Sequence, residues 1–395
     1  MNRSAEANRD RGGLLHSQQQ SVRKRIVVIL GMHRSGTSAL TRGVQVLGAA
    51  LGDRLMAGRA GDNDKGFFED LDIYRLNETL LRRCGTSWRG LEPLDGAAFA
   101  GEAFADLRAK AADLLARKLD GLDGPFAVKD PRLCLLMPFW RAVCGDLGVS
   151  CDYVVALRHP ADVARSLEKR NGAAIPVGLA LWTRYTLGAL EASRFGRRTF
   201  VLYDALLDDP GGQLRRISDA LSLPLPDDFS DGAKLYREDF LDPGLRTARS
   251  DDRESLYAYF PQGFDLFEAL LPCAQGASSD APKEAQQRAE AALNAALPLL
   301  ARLDDVHTAL GETTEKLASA EQQNAALQEK NERLEEARQA AVDGLLAHEE
   351  KHVKEAKIAR AVTLRAQKAQ ALHAAAHGGG QTARPEASSA RKDDA

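Results

Sequence analysis

Four short apolar runs punctuate the first half of the chain, and each gives way at once to charged or polar residues. Ile26 to Leu30 precedes Gly31, and Phe126 to Val128 precedes Lys129-Asp130-Pro131-Arg132. Tyr153 to Leu157 precedes Arg158-His159-Pro160, and Thr199 to Leu202 precedes Tyr203-Asp204. Runs this short, rich in β-branched and aromatic residues, are the pattern of strands buried on both faces of a parallel sheet. Between them the apolar positions recur at helical spacing. Leu40, Val44 and Leu47 share one face, and Leu107, Leu114 and Leu115 share another within Phe104 to Leu119. Leu135 to Leu147, Pro160 to Arg170 and Gly178 to Phe195 read the same way. Strands alternating with helices predict an α/β fold of βαβ units. Right-handed crossovers then bring the strand C-termini to one edge, where such sheets bind ligands.

The first strand runs into GMHRSGTSAL, a short polar loop bracketed by Gly31 and Gly36 and followed by a helix that Thr37 and Ser38 begin. A strand, a glycine loop and a helix N-terminus together make an anion site: backbone N–H groups converge, and the helix dipole favours negative charge. Arg34 adds a fixed cation. The spacing of Gly31, Gly36 and Ser38 nearly matches the nucleoside-triphosphate loop G-x-x-x-x-G-K-[ST], but Thr37 stands where that loop has its lysine. This points to a phosphate- or sulfate-binding loop, and away from hydrolysis of ATP or GTP. A second candidate is RHPADVARS. There Pro160 suits a first helical turn, and Arg158 at the strand end with Ser166 two turns on can hold another phosphate.

Composition narrows the picture. The chain has 395 residues, 44% of them apolar, with 28% charged and a net charge of −3, which fits a real core and not a nucleic-acid binder. Five cysteines show neither C-x-x-C nor metal spacing, and together with the absence of an apolar leader they predict a reducing, cytoplasmic setting. No run approaches the roughly 20 apolar residues of a membrane span. The connection from Gly48 to about Ala105 is long. Its GDNDKGFFED segment, with Phe67-Phe68 beside Glu69 and Asp70, predicts an ordered lid or pocket wall.

GMHRSGTSAL and RHPADVARS in one chain resemble the two nucleotide motifs of sulfotransferases that use 3′-phosphoadenosine 5′-phosphosulfate (PAPS). The first is similar to the family's 5′-phosphosulfate loop in its Arg-containing form, R-S-G-T-[ST], of bacterial and protein-tyrosine members. The second is similar to its 3′-phosphate motif, with arginine and serine eight residues apart. KDPRL and YDALLDDP also look like bacterial members, and the resemblance covers about Arg25 to Phe267. It implies a P-loop-like parallel sheet flanked by helices. It also implies PAPS as co-substrate, no metal, and in-line transfer of a sulfuryl group to a hydroxyl-bearing acceptor: a carbohydrate or other glycan, a lipid-linked sugar or a small molecule. Gly31, His33, Arg34, Ser35, Gly36, Thr37 and Ser38 would then hold the 5′-phosphosulfate, and Arg158 and Ser166 the 3′-phosphate, with Tyr203 beside the nucleotide. Glu69, which follows an aromatic pair, is the first candidate for the base by this resemblance. Asp130 is the second, because KDPRL occupies the strand end where other members carry a catalytic histidine. Lys129 and Arg34 would stabilise charge on the leaving phosphate. One departure is the lack of a C-terminal G-x-x-G-x-x-K element. Two other readings stay open: a P-loop nucleotide kinase or NTPase, and a non-catalytic nucleotide-binding adaptor that works through its C-terminal helix.

In the last third the period changes. With Leu303 at heptad position a, Leu310, Leu317, Asn324 and Asn331 follow at a, and Val306, Thr313, Ala320, Leu327 and Leu334 fall at d. Lys316 with Glu321 and Lys330 with Glu335 are g-to-e′ pairs of opposite sign, and Asn at a specifies a parallel two-stranded register. The expectation is a parallel homodimeric coiled coil over residues 299–346, Gly311 and Gly344 being its weak points. The resulting domain plan is a disordered arm (1–24), a catalytic domain (25–272), a connector (273–298), a coiled-coil helix (299–372) and a disordered tail (373–395).

Overall fold

A computed structural model describes residues 24–59, 65–242, 250–277 and 282–377. Apart from Lys24, the expected N-terminal arm lies outside the described residues, as do residues 61–64 of the GDNDKGFFED segment and the tail beyond His377. The chain divides into two compact units, one ending at Glu312 and the other beginning at Thr313.

The first unit is built on four parallel strands, β1 (Arg25–Leu30), β2 (Phe126–Lys129), β3 (Ser150–Leu157) and β4 (Arg198–Leu202), in the order β2-β1-β3-β4. Val28 sits opposite Val128 on one side and Tyr153 on the other, and Val155 opposite Phe200. Because alternate residues of a strand face opposite ways, the apolar runs feed two cores. Ile26, Val28, Leu30, Phe126, Val128, Tyr153, Val155 and Phe200 enter one, and Val27, Ile29, Ala127, Val154, Ala156 and Val201 the other. The first core is covered by α2 (Leu71–Arg83), α3 (Ala105–Leu119), α4 (Leu133–Asp146), α5 (Pro160–Asn171) and α6 (Ile175–Ser193). The second is covered by α1 (Thr37–Val46), α7 (Tyr203–Asp208), α8 (Pro210–Leu221) and α9 (Phe229–Leu235). This is the predicted parallel sheet flanked by helices.

α10 (Ser250–Tyr257) and α11 (Pro261–Ala274) bring Leu256, Phe260, Phe264, Leu266 and Phe267 into the first core. The last helix, α12 (Lys283–His377), begins there too: Ala285, Ala289, Leu293 and Leu300 are buried at helical spacing, and Arg89 pairs with Asp304. Leu303, the first expected a residue, is half-buried on this body, whereas Val306, Leu310, Leu317, Leu327 and Leu334 are exposed. The second unit is the remainder of α12, helical to His377. Among the described residues no helix is long and apolar enough to cross a membrane.

Strand order places the site. The chain leaves β1 for β2 on one side and returns to β3 on the other, so the sheet reverses direction of winding at β1. A crevice opens at such a point beyond the strand C-termini, where residues 31–36, 129–132, 158–159 and 203–204 all lie.

Candidate active site

The loop after β1 is shaped by two glycines. Gly31 has φ +148°, and a Cβ there would lie 2.8 Å from that of Ala156, so the loop leaves the sheet flush against β3. Gly36 has φ +83° and carries the Tyr203 ring where a side chain would be: a Cβ would fall 2.2 Å from Tyr203 Cδ2. Arg34 also has positive φ, +72°, a conformation uncommon for a non-glycine residue and often found at ligand clamps. The turn is closed by Ser35 N–H donating to Met32 O at 3.1 Å, and Gly31 N–H donates to Cys134 Sγ at 3.1 Å. α1 then starts with no side-chain cap and no acidic residue in its first turn. Its first N–H groups therefore face the crevice with the positive end of the helix dipole, the arrangement that holds an anion.

Arg34 and Arg158 are locked together. Arg34 Nε donates to Ser166 Oγ at 2.8 Å, and Arg158 Nη1 donates to the Arg34 carbonyl at 2.9 Å. The Arg158 guanidinium lies over the Tyr203 ring at 4.7 Å, and its backbone carbonyl accepts from Trp182 Nε1 at 3.0 Å. Behind it, buried Asp162 accepts from Arg253 Nη2 at 3.0 Å and lies 4.0 Å from Arg158 Nε. The two sequence motifs thus form one cationic wall across the β1 and β3 ends. His159 serves this wall structurally: its Nδ1 accepts from Ala161 N–H at 3.3 Å as the cap of α5, and its ring packs on Phe264 and Phe267. Burial, then the charge of Arg253, lowers its pKa to about 4.

On the β2 side the chemistry changes. Lys129 Nζ lies 2.6 Å from Glu69 Oε1 and donates to Ser38 Oγ at 3.4 Å, while Ser38 donates to the Phe67 carbonyl at 3.2 Å. An ammonium from the neighbouring strand therefore reaches the helix start, where Thr37 has displaced the usual lysine. Both groups are buried, Lys129 with 3% and Glu69 with 6% of its surface exposed, too little for water to screen the pair. Burial pushes the Glu69 carboxyl above the usual carboxylate range, against the pull of Lys129. The Lys129 ammonium is lowered by burial, against the pull of Glu69. Glu69 Oε2 is buried and has no hydrogen-bond partner. The segment that presents it is constrained, with Phe68 at φ +63° and its ring against Phe240, Met56 N–H donating to the Glu69 carbonyl, and Asp70 capping α2.

Asp130 sits one residue beyond Lys129 in different surroundings. Its Oδ1 accepts from the Arg132 backbone N–H at 3.0 Å and from Arg132 Nη1 at 2.9 Å, and its Oδ2 accepts from Asn77 Nδ2 at 2.9 Å. Asn77 in turn accepts from Trp140 Nε1 at 2.8 Å, and Arg132 pairs with Glu78 over the Tyr74 ring. The sequence suggests Asp162 only as a helix-dipole residue and points to neither Asn77 nor Trp140; the one signal for Asn77 is a polar residue among buried Ile73, Leu80 and Leu81 on α2.

His33 lies at the crevice rim, its ring 4.8 Å from that of Trp88 and 6.0 Å from that of Tyr185. Burial first, then Arg132, Arg170, Lys129 and Arg34, hold it neutral far below the ordinary histidine range. Among the described residues no three His, Cys, Asp or Glu side chains are grouped to hold a metal ion.

The fold defines a parallel α/β protein with a glycine loop, a candidate anion site, at its switch point. No family model matches the chain, and no curated protein does. Among solved structures it is similar to the sulfotransferase domain of the olefin synthase of Synechococcus PCC 7002, at 19% identity and TM-score 0.35, over 60% of this chain and 87% of that one. It is also similar to the sulfotransferase STF1 of Mycobacterium tuberculosis H37Rv, at 16% identity and TM-score 0.32, over 60% and 76%. A third is a sulfotransferase from Alicyclobacillus acidocaldarius, at 16% identity and TM-score 0.31, over 63% and 96%.

Proposed function

We propose that the chain is a sulfotransferase that moves a sulfuryl group from PAPS to a hydroxyl acceptor. The observation that carries this reading is the Arg158–Arg34–Ser166 linkage, which makes two anion motifs parts of one wall. A nucleotide with a phosphosulfate at one end and a separate 3′-phosphate at the other needs two such positions, and a nucleoside triphosphate does not. The residues present fit that ligand. The uncapped α1 N-terminus with Arg34, Thr37 and Ser38 suits the 5′-phosphosulfate, and Arg158 with Ser166 suits the 3′-phosphate.

Glu69 is the proton acceptor in this scheme. Its bare Oε2 is buried and its carboxyl is raised by burial, which moves a base toward the pH at which it works. Both oxygens of Asp130 are already engaged, and His33, amid four cations, is too weakly basic to compete. Glu69 takes the acceptor O–H proton as that oxygen bonds to sulfur, and the bond from sulfur to the phosphate oxygen breaks in line. Charge grows on the leaving phosphate, where Lys129, Arg34 and the α1 N–H groups oppose it. Stabilising that charge is the larger part of the rate gain, as in phosphoryl transfer.

The heptads beyond Val306 support a parallel homodimer through α12, whose a and d side chains are exposed in the single chain. Calorimetric titration with adenosine 3′,5′-bisphosphate tests the nucleotide reading. Binding that is lost in Arg34→Ala and Arg158→Ala is the expected result. Tighter binding of ATP with magnesium-dependent turnover would return the chain to the kinase or NTPase class, and nucleotide binding without any sulfuryl transfer would favour the adaptor.

A further inference from the structure

Within the second unit Asn324, Asn331 and Arg338 already interrupt the apolar seam at a, and a later polar stretch has a pattern of its own. Leu345 falls at heptad position a, and the next d and a positions hold His348 and His352. Glu355 follows at d, after which Ala359 and Val362 restore the seam in the same register. Residues 348–352 read His-Glu-Glu-Lys-His, the H-E-x-x-H spacing that puts two imidazoles on one helix face and in some enzymes holds zinc. Here the two rings do lie together, with centroids 4.4 Å apart, and His352 Nδ1 is 3.8 Å from Glu355 Oε2. Their surroundings are those of a chelate on an open helix, with no cleft for a peptide: the His352 side chain is 65% and that of Glu355 58% exposed.

One chain does not complete a site, since no group of three possible ligands forms within it among the described residues. A second copy does. In a parallel two-stranded coil, d meets d′ and a meets a′, so His348 and His352 meet their own counterparts and four imidazoles converge on the axis. That is a full tetrahedral set for zinc, which takes imidazole nitrogen at about 2.0–2.1 Å. We propose that residues 348–352 form half of a zinc site completed by the same residues of a second copy of this chain. The inference rests on the parallel seam proposed above. The second copy is the favoured occupant because Lys316 meets Glu321 and Lys330 meets Glu335 only in that pairing, and Asn324 and Asn331 meet their own kind across the axis.

The test uses the full chain after chelator treatment. Zinc is titrated in competition with a chromophoric chelator, and self-association is followed by sedimentation with and without the ion. The expected result is one zinc ion per pair of chains and an at least tenfold tighter dimer in zinc. His348→Ala/His352→Ala should lose both effects yet associate like the untreated chain in chelator. A dimer that zinc leaves unchanged, zinc held at one ion per chain, or equal zinc binding by the double variant would overturn the site while leaving the seam intact. A chain that stays monomeric in chelator and in zinc would overturn the seam itself, and the site with it.

Discussion

The two halves of the crevice, one on each side of β1, are built from different materials. On the β3 side the cations are guanidinium groups, Arg34 and Arg158, held by a serine hydroxyl, a backbone carbonyl and the face of Tyr203. On the β2 side the cation is an ammonium, Lys129, set against a carboxylate with one bare oxygen. Guanidinium groups stay charged at any working pH and present a fixed fork to an anion, whereas a buried lysine–glutamate pair is where a proton can change places. In the proposed scheme one half holds the nucleotide and the other handles the proton. Within the β2 half the same contrast recurs between Glu69 and Asp130, one carboxylate half-satisfied and the other fully bonded.

The largest expected effect comes from removing the proton acceptor. In Glu69→Gln, turnover should fall by roughly 10²–10⁴ while adenosine 3′,5′-bisphosphate still binds, as a lost general base requires. In the unmodified chain the rate should fall as pH drops through the raised Glu69 value, because only the ionised carboxylate accepts a proton. That acid limb should therefore lie above the ordinary carboxylate range, as a pH series of kcat/KM would read. Near-normal turnover in Glu69→Gln would dissolve the contrast between the two carboxylates. Asp130→Asn should act on stability instead, because it breaks a buried network and leaves Arg132 facing an amide. Breaking such a pair costs about 3–5 kcal/mol, readable as a lower urea midpoint. A variant with an unchanged midpoint and no turnover would transfer the base to Asp130.

On the β3 side, Arg34→Ala should weaken adenosine 3′,5′-bisphosphate by about 2–4 kcal/mol, roughly 30- to 1000-fold. Its melting point should move little, since the Arg34 side chain is partly exposed. Calorimetry beside a thermal melt separates the two. If affinity held while turnover fell, Arg34 would belong with the chemistry of the β2 half.

These assignments were legible in the sequence to different degrees. The strands were plain, because short β-branched runs that end in charge suit buried strands and little else. The loop was plain because Gly31 and Gly36 bracket a cation ahead of a helix. What Asp130 does was not, since its partner Asn77 lies 53 residues away and Trp140 lies 63 residues from Asn77. No local spacing encodes such a network; it follows from packing α2 against α4. Nor did composition distinguish the start of α12, whose Ala285, Ala289 and Leu293 meet the core, from the heptads beyond, because the same helical period serves both faces.

The smallest expected effect lies at His159, between the binding wall and the core. Its Nδ1 caps α5, the helix that carries Ser166, and it can do so only while unprotonated. Its folded value of about 4 lies below the 6.5 of an unperturbed histidine, so the folded state takes up its proton later than the unfolded state. Stability from this group is fully present above about pH 6.5 and is lost as pH falls toward 4. His159→Asn keeps a capping oxygen but has nothing to titrate. Urea midpoints measured from pH 7 down to 4.5 should therefore fall less steeply in this variant, with nucleotide affinity at pH 7.5 within a few-fold of the parent. An equally steep fall would move the pH sensitivity to His33, the other neutral imidazole at the crevice, and a large loss of affinity would place His159 in the anion wall itself.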